Sequence, residues 1–425
     1  MNESIFIPQP AQVALERFPI AMGNEPEYTS ALGAAWASGR VNLIGEHTDY
    51  NDGFVLPIAV DRVVAFAGQA RGDGIVRLWS SQFEEYAQFS LEGMPETFEQ
   101  QSNTLPRWAR HVLAVIAELT RAGVTLCGFD AVINGDVPVG GGMSSSAAIE
   151  VAAAQACVLF SNGQFTIGVE GATFTPIEVA ALCQHAEWIA TGVQVGILDQ
   201  AASCLGRPGQ AVLLDCRSLE YRYLPFDTQD LSLVVIDTSV RRELADSAYN
   251  ERRRQCEEAA QMLRDIIVQH EPENQSARTI RALRDVTQEQ FDLYGAQLPD
   301  VLRRRAGYII AEDARVLQAA RLLDEGSIGN VGPLLWKTHA GLRDDYEVSS
   351  VELDTLVEIA RKVPGVLGAR MLGGGFGGCT INLVRSEVVE TLRYVVNKEY
   401  PARTGGLEAS IDICKAAGGP GYRWV

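Results

Sequence analysis

Residues 138–155 read PVGGGMSSSAAIEVAAAQ: three glycines, a methionine, three serines and an alanine-rich run, with no lysine in the stretch. Few local structures accept that order. Glycine reaches φ > 0 and lets a ligand approach the main chain closely. The alanine-rich run predicts a helix from about Ser145 to about Phe160. The first N–H groups of such a helix lack internal partners and carry the positive end of its dipole. Gly140, Gly141 and Gly142, with Ser144, Ser145 and Ser146, therefore read as a phosphate cradle built from backbone amides. The serine hydroxyls add donors for phosphate, or an oxygen ligand for Mg²⁺. The stretch is not a Walker A loop, which requires GxxxxGK[ST] and its lysine. The alternative is a tight turn with a serine as N-cap.

Two further stretches carry chemistry. Residues 373–378 (GGGFGG) match GxGxxG in spacing, but the CTINLV that follows is short and β-branched where a dinucleotide fold needs a helix. A glycine hairpin whose backbone closes over a ligand fits better. Residues 39–57 (GRVNLIGEHTDYNDGFVLP) gather Arg40, Glu46, His47, Asp49 and Tyr50 on one short stretch between strand-like segments. Carboxylates and an imidazole so placed suit hydrogen bonding to a polyol. The plain alternative is a solvated hairpin turn at Tyr50–Gly53, where N-D-G is a natural turn sequence.

The rest of the chain supplies a scaffold for these motifs. At 425 residues it suits two domains, and with 47% apolar residues it can bury full cores. β-branched segments dominate from Ala34 to about Phe89, and helical spacing runs over Leu105–Ala122 and Pro176–Ala190. AVLLDCRSL and LSLVVIDTSV read as strands, Leu244 to Val268 as one long charged helix, and further helices reach about Lys362. A composition shift near Gly206–Pro208 divides the chain into residues 1–205 and 206–425. The expected class is α+β with mixed sheets and helices. A net charge of −18, from 54 acidic against 36 basic residues, argues against nucleic acid or an anionic membrane as partner. The first residues lack a basic start followed by an apolar run, and no apolar segment reaches membrane-spanning length. The eight cysteines are scattered without a CxxC pair. The reading is a cytoplasmic protein, a monomer or weak homo-oligomer.

GRVNLIGEHTDYNDGFVLP is similar to the signature of galactokinases within the GHMP small-molecule kinase superfamily. PVGGGMSSSAA resembles the superfamily's ATP-phosphate loop, and GARMLGGGFGGCT its C-terminal glycine motif. The likeness continues through VGILDQAASCLG, LLDCRSL, VRRELADSAYNERRRQCEEAA and HAGLRDDYEVSSVELD, and spans about Ala34 to Val384. It implies a two-domain GHMP kinase fold with the active site in the interdomain cleft. The implied reaction is phosphorylation of α-D-galactose by ATP at the anomeric hydroxyl, the entry step of the Leloir route. By resemblance, Asp199 is the catalytic carboxylate with Arg40 beside it. Glu46, His47, Asp49, Gly196 and Tyr249 form the sugar pocket, and Ser146 and Glu187 are the Mg²⁺ ligands. The physics agrees, because an adjacent guanidinium favours an ionised carboxylate and phosphoryl transfer needs mainly positioning and electrostatic stabilisation. The alternatives are a kinase for a related sugar, arabinose or N-acetylgalactosamine, or a galactose-sensing regulator on the same fold. Five positions depart from the family pattern: Ser38 stands for Pro, Met143 for the commoner Leu, Leu372 for Thr, and Gln194-Val195 for Pro-Cys.

Overall fold

The computed structural model describes residues 7–23, 28–161, 165–169, 171–226, 228, 230–241 and 245–425, the side chains of 245–247 excepted. Thirteen strands occur among the described residues. They are β1 Gly33–Asn42, β2 Phe54–Val55, β3 Pro57–Arg71, β4 Ile75–Ser80, β5 Glu85–Ser90, β6 Gly128–Gly135, β7 Gln210–Asp215, β8 Tyr221–Pro225, β9 Leu231–Asp237, β10 Val366–Leu372, β11 Cys379–Arg385, β12 Ser410–Cys414 and β13 Gly421–Trp424.

The strands form three sheets: β13-β1-β3-β6-β4-β5, β10-β11-β9-β12 and β2-β7-β8. All ladders are antiparallel except β4 with β6, so the mixed α+β expectation holds. The period-two alternation of a strand separates the two faces of β3. Val64, Phe66 and Ala70 enter the main core, while Ala65 and Ala67 pack with Ala11, Ala14 and Phe18 of the helix Gln9–Ala21. The opposite face is covered by the helix Ser145–Phe160, buried from Ala147 to Phe160. Its many alanines let it press against β1 and β3 on one side and neighbouring helices on the other. A helix buried all round cannot be amphipathic, and this one is not.

In the second half, the helices Val351–Lys362 and Val389–Arg403 pack with β9, β10 and β11 around Leu356, Ile359, Leu392 and Tyr400. The long helix Ala245–His270 packs on Asp300–Asp324, with Leu263, Ile267, Ala306 and Ile309 between them. Leu244, where the sequence reading starts that first helix, lies outside the described residues. Strand pairing crosses residue 206 twice: β7 pairs with β2, and β13 returns to pair with β1. Gly206 itself sits tight against the first half, since a Cβ there would meet the Ala59 Cβ at 2.4 Å.

These connections bring three segments to one cleft. They are the loop after β1, the glycine–serine loop between β6 and the helix Ser145–Phe160, and the glycine turn between β10 and β11.

Candidate active site

Two adjoining cavities, of about 500 Å³ and 720 Å³, meet where Arg40, Gly140, Gly142, Glu187, Gly373 and Gly374 line both. The smaller is the more polar of the two, with Glu46, His47, Asp49, Gly196, Asp199 and Tyr249 in its wall. The larger carries apolar side chains, among them Phe83, Trp108, Ile133 and Ile149, together with Ser144, Ser145 and Ser146. Gly141 lines neither. It lies buried under the loop, where a Cβ would come within 2.7 Å of the Pro138 Cβ.

At the junction, Arg40 on β1 donates to Asp199 Oδ1 through Nε at 2.7 Å, and its Nη2 lies 2.6 Å from the same oxygen. Asp199 stands in the first turn of the short helix Leu198–Leu205. A further Arg40 nitrogen donates to the Gly142 carbonyl, so one guanidinium joins the acid to the glycine loop. Burial opposes the Arg40 charge, but Asp199, Glu46 and Asp49 outweigh it and hold its pKa above the ordinary value. Ser144 precedes the helix with φ 54 and makes no side-chain cap; its hydroxyl donates to Asp199 Oδ2. The N-cap alternative therefore gives way to a contact across the site.

The loop after β1 is built from buried polar pairs. Arg370, fully buried on β10, donates to Glu46 Oε1 at 2.8 Å. The Gly373 N–H reaches the same oxygen at 2.9 Å, and Asn42 donates to Oε2 at 2.9 Å. Burial alone would raise the Glu46 pKa; Arg370 and then Arg40 reverse this and hold it below the ordinary value. Glu46 thus lines the polar cavity and also ties the first loop to the glycine turn. His47, at φ 67, bonds the Tyr50 hydroxyl through Nδ1 at 2.7 Å, and its ring lies 5.5 Å from that of Tyr249. Burial lowers its pKa to about 4. Asp49 is raised to about 7 by burial and by Asp199. Gly196 makes room for Asp49, because a Cβ at 196 would lie 1.9 Å from Asp49 Oδ2.

Glu187, buried on the helix Pro176–Thr191, is raised to about 8 by burial and by Glu150, while a hydrogen bond with the Ser146 hydroxyl opposes the shift. A carboxylate and an alcohol side by side at a phosphate loop are the hard oxygen donors that suit a magnesium ion retaining waters. No cluster of three or more His, Cys, Asp or Glu able to hold a metal occurs among the described residues.

The Galactokinase galactose-binding signature matches residues 18–70, the GHMP kinases N terminal domain residues 110–207, and the GHMP kinases C terminal domain residues 319–402. A galactokinase of Roseiflexus sp. (strain RS-1) is 41% identical over 385 residues, 91% of each chain. The chain belongs to the galactokinase family. The crystal structure of Lactococcus lactis galactokinase complexed with galactose superposes with a TM-score of 0.83 at 32% identity, covering 96% of this chain and 98% of that one. The Methanococcus jannaschii mevalonate kinase shares the fold, with a TM-score of 0.63 at 17% identity over 92% and 99% of the two chains.

The departures from the galactokinase pattern at Gln194 and Val195 fall where contacts run through the main chain. The Val195 carbonyl accepts from Trp188 Nε1 at 2.8 Å and from Gln184 at 3.0 Å; the Gln194 carbonyl accepts from Arg253 at 2.9 Å. Other side chains there can present the same carbonyls. Arg241 escaped the sequence reading. Its guanidinium pairs with Asp237 and donates to the Val139 carbonyl at 3.3 Å, and its Nε lies 2.9 Å from where a Gly140 Cβ would be. Arg107, which lines both cavities, escaped as well. Arg241 follows a strand-like segment and Arg107 opens a helix read for its apolar spacing, and only the fold brings them to the cleft.

Proposed function

We propose that this galactokinase transfers the γ-phosphoryl group of ATP to the anomeric hydroxyl of galactose, giving galactose 1-phosphate and ADP. The observation that carries the reading is Asp199 at the meeting of a polar and a partly apolar cavity, fixed by Arg40 on one oxygen and Ser144 on the other. The polar cavity takes the sugar against Glu46, His47, Asp49, Gly196 and Tyr249. The apolar one takes the nucleotide base, with the phosphates over Gly140–Ser146. Asp199 accepts the hydroxyl proton as the sugar oxygen attacks phosphorus. Arg40 faces the charge that develops on the transferred group. Backbone amides at the helix start hold the remaining phosphate charge.

Ser146 and Glu187 would hold a magnesium ion, which when bound offsets charge on the β- and γ-phosphates. Arg241 and Arg107 supply the cationic side chains that the loop itself lacks. We take residues 1–205 and 206–425 as the two domains, with the last strand returning to the first. No helix among the described residues is long and apolar enough to cross a membrane. A cytoplasmic monomer or weak homo-oligomer is the reading we adopt. A coupled ADP-release assay across galactose, arabinose, glucose and N-acetylgalactosamine tests it; turnover led by any sugar other than galactose would overturn it.

A further inference from the structure

We propose that Gln200 is a positioning residue for phosphoryl transfer, holding the Glu187 carboxylate in place through its side-chain amide. Gln200 follows Asp199 in the helix Leu198–Leu205 and is fully buried. Asp199 meets the cleft, and Gln200 donates into the protein behind it. Its Nε2 donates to Glu187 Oε2 at 2.6 Å and to Glu150 Oε2 at 3.0 Å. A primary amide carries two N–H bonds, and both are used here. Its Oε1 has no hydrogen-bond partner, so the amide acts here through its two N–H donors alone.

Glu150 is anchored in turn. It is fully buried on the helix Ser145–Phe160, four residues after Ser146 and so on the same face, one turn deeper. His111, on the helix Arg107–Arg121, meets Glu150 Oε1 through Nδ1 at 2.7 Å. His111, Glu150, Gln200 and Glu187 thus form one hydrogen-bonded row across four helices, ending at the cleft. Each helix contributes one member, so the carboxylate orientation is set by how the helices pack. Carboxylates that bind a metal are oriented by such outer hydrogen bonds, and losing one costs about 10–100-fold in metal affinity. Of the side chains of this length, only glutamine offers two neutral donors to two facing carboxylates. Glutamate would add a third acid, and lysine a charge.

The inference rests on the reading of Glu187 as a metal ligand, and the experiment separates the two. Mn²⁺ binding in the presence of ADP is followed by electron paramagnetic resonance in wild type, Gln200→Asn, Gln200→Leu and Glu187→Gln, with galactose affinity measured on each. Gln200→Asn keeps the amide but draws it back by one methylene, and it carries the test if the leucine variant does not fold. We expect Mn²⁺ affinity in Gln200→Asn to fall about 10–100-fold, with galactose affinity within about twofold of wild type. If Glu187→Gln weakens Mn²⁺ binding and Gln200→Asn leaves it unchanged, the positioning role is wrong. If Glu187→Gln itself leaves Mn²⁺ binding unchanged, the metal reading fails and this inference with it.

Discussion

Arg40 and Asp199, 159 residues apart in sequence, meet through Nε and Oδ1 at 2.7 Å, and the arginine is almost completely buried. A guanidinium placed this way meets developing negative charge with no rearrangement during the reaction. Asp199→Asn keeps the shape and one acceptor but removes the charge and the proton acceptor. Turnover should fall by at least about a hundredfold, with galactose affinity held within a few-fold. Near-normal turnover in Asp199→Asn would take Asp199 out of the chemistry.

Gly196 and Asp49 are set so close that a methyl group cannot enter between them. In Gly196→Ala the new Cβ must push the Asp49 carboxylate, since the undisturbed separation would be 1.9 Å. The KM for galactose should rise about tenfold or more while the KM for ATP stays within twofold, one lost hydrogen bond to a charged group being worth about 1.5–3 kcal/mol. Equal rises in both would mean that the substitution disturbs the whole cleft and not the sugar side.

Asp49 also gives the fold a pH dependence with a definite sign. Its pKa of about 7 exceeds the ordinary 3.8, so between those values the folded chain keeps a proton that the unfolded chain has released. Stability contributed by that proton is complete below about 3.8, declines as pH rises, and is gone above about 7. Glu187, raised to about 8, slopes the same way. His47, lowered to about 4 from 6.5, slopes oppositely between those two values and is level above them. Asp49→Asn should therefore lose less Tm than wild type between pH 6.5 and pH 8.5, by roughly 2 °C. Parallel Tm profiles for the two proteins would contradict the assignment.

How far such features can be read in advance depends on whether their cause is local. The helix Ser145–Phe160 was legible because a glycine-to-alanine change marks its start, and β11 because CTINLV is β-branched. The helix Val389–Arg403, which carries Pro401, and the strand β13 were not read. β13 exists because β1, near the other end of the chain, offers it an edge, and no periodicity within four residues records that. At the site, the cluster Arg40–Tyr50 announced itself by density of polar side chains. Arg370 did not: one arginine in an apolar strand shows that something is unusual, but not that Glu46 is what it meets.

Arg241 borders Gly140 at the cleft and is held by Asp237, so it offers charge to a phosphate without much reorganisation. Its side chain is 41% exposed, which limits what solvent leaves of the interaction. Arg241→Met should raise the KM for ATP about tenfold and leave galactose affinity unchanged, a change worth about 1.4 kcal/mol. The effect should shrink as ionic strength increases, because an exposed charge is screened. A KM for ATP that ignores both substitution and salt would place Arg241 outside the nucleotide site.

Ser144 separates a contact made to the acid from one made to the phosphates. Its hydroxyl donates to Asp199 Oδ2, while Ser146 lies beside Glu187. Removing the Ser144 hydroxyl should therefore lower kcat, roughly tenfold to a hundredfold for one hydrogen bond to a charged group, with ATP affinity changed by less than threefold. Ser146→Ala should do the reverse, weakening the dependence on magnesium and ATP more than it slows the chemical step. The backbone offers a control, since Ser144 sits at φ 54, where alanine is strained and glycine is not. Ser144→Ala and Ser144→Gly share the missing hydroxyl but differ in that strain. Equal losses of kcat in the two variants, with the glycine form as stable as wild type or more so, assign the effect to the contact with Asp199. A Ser144→Gly enzyme that keeps wild-type kcat would show that the hydroxyl is idle and that the loop serves only to hold its backbone shape.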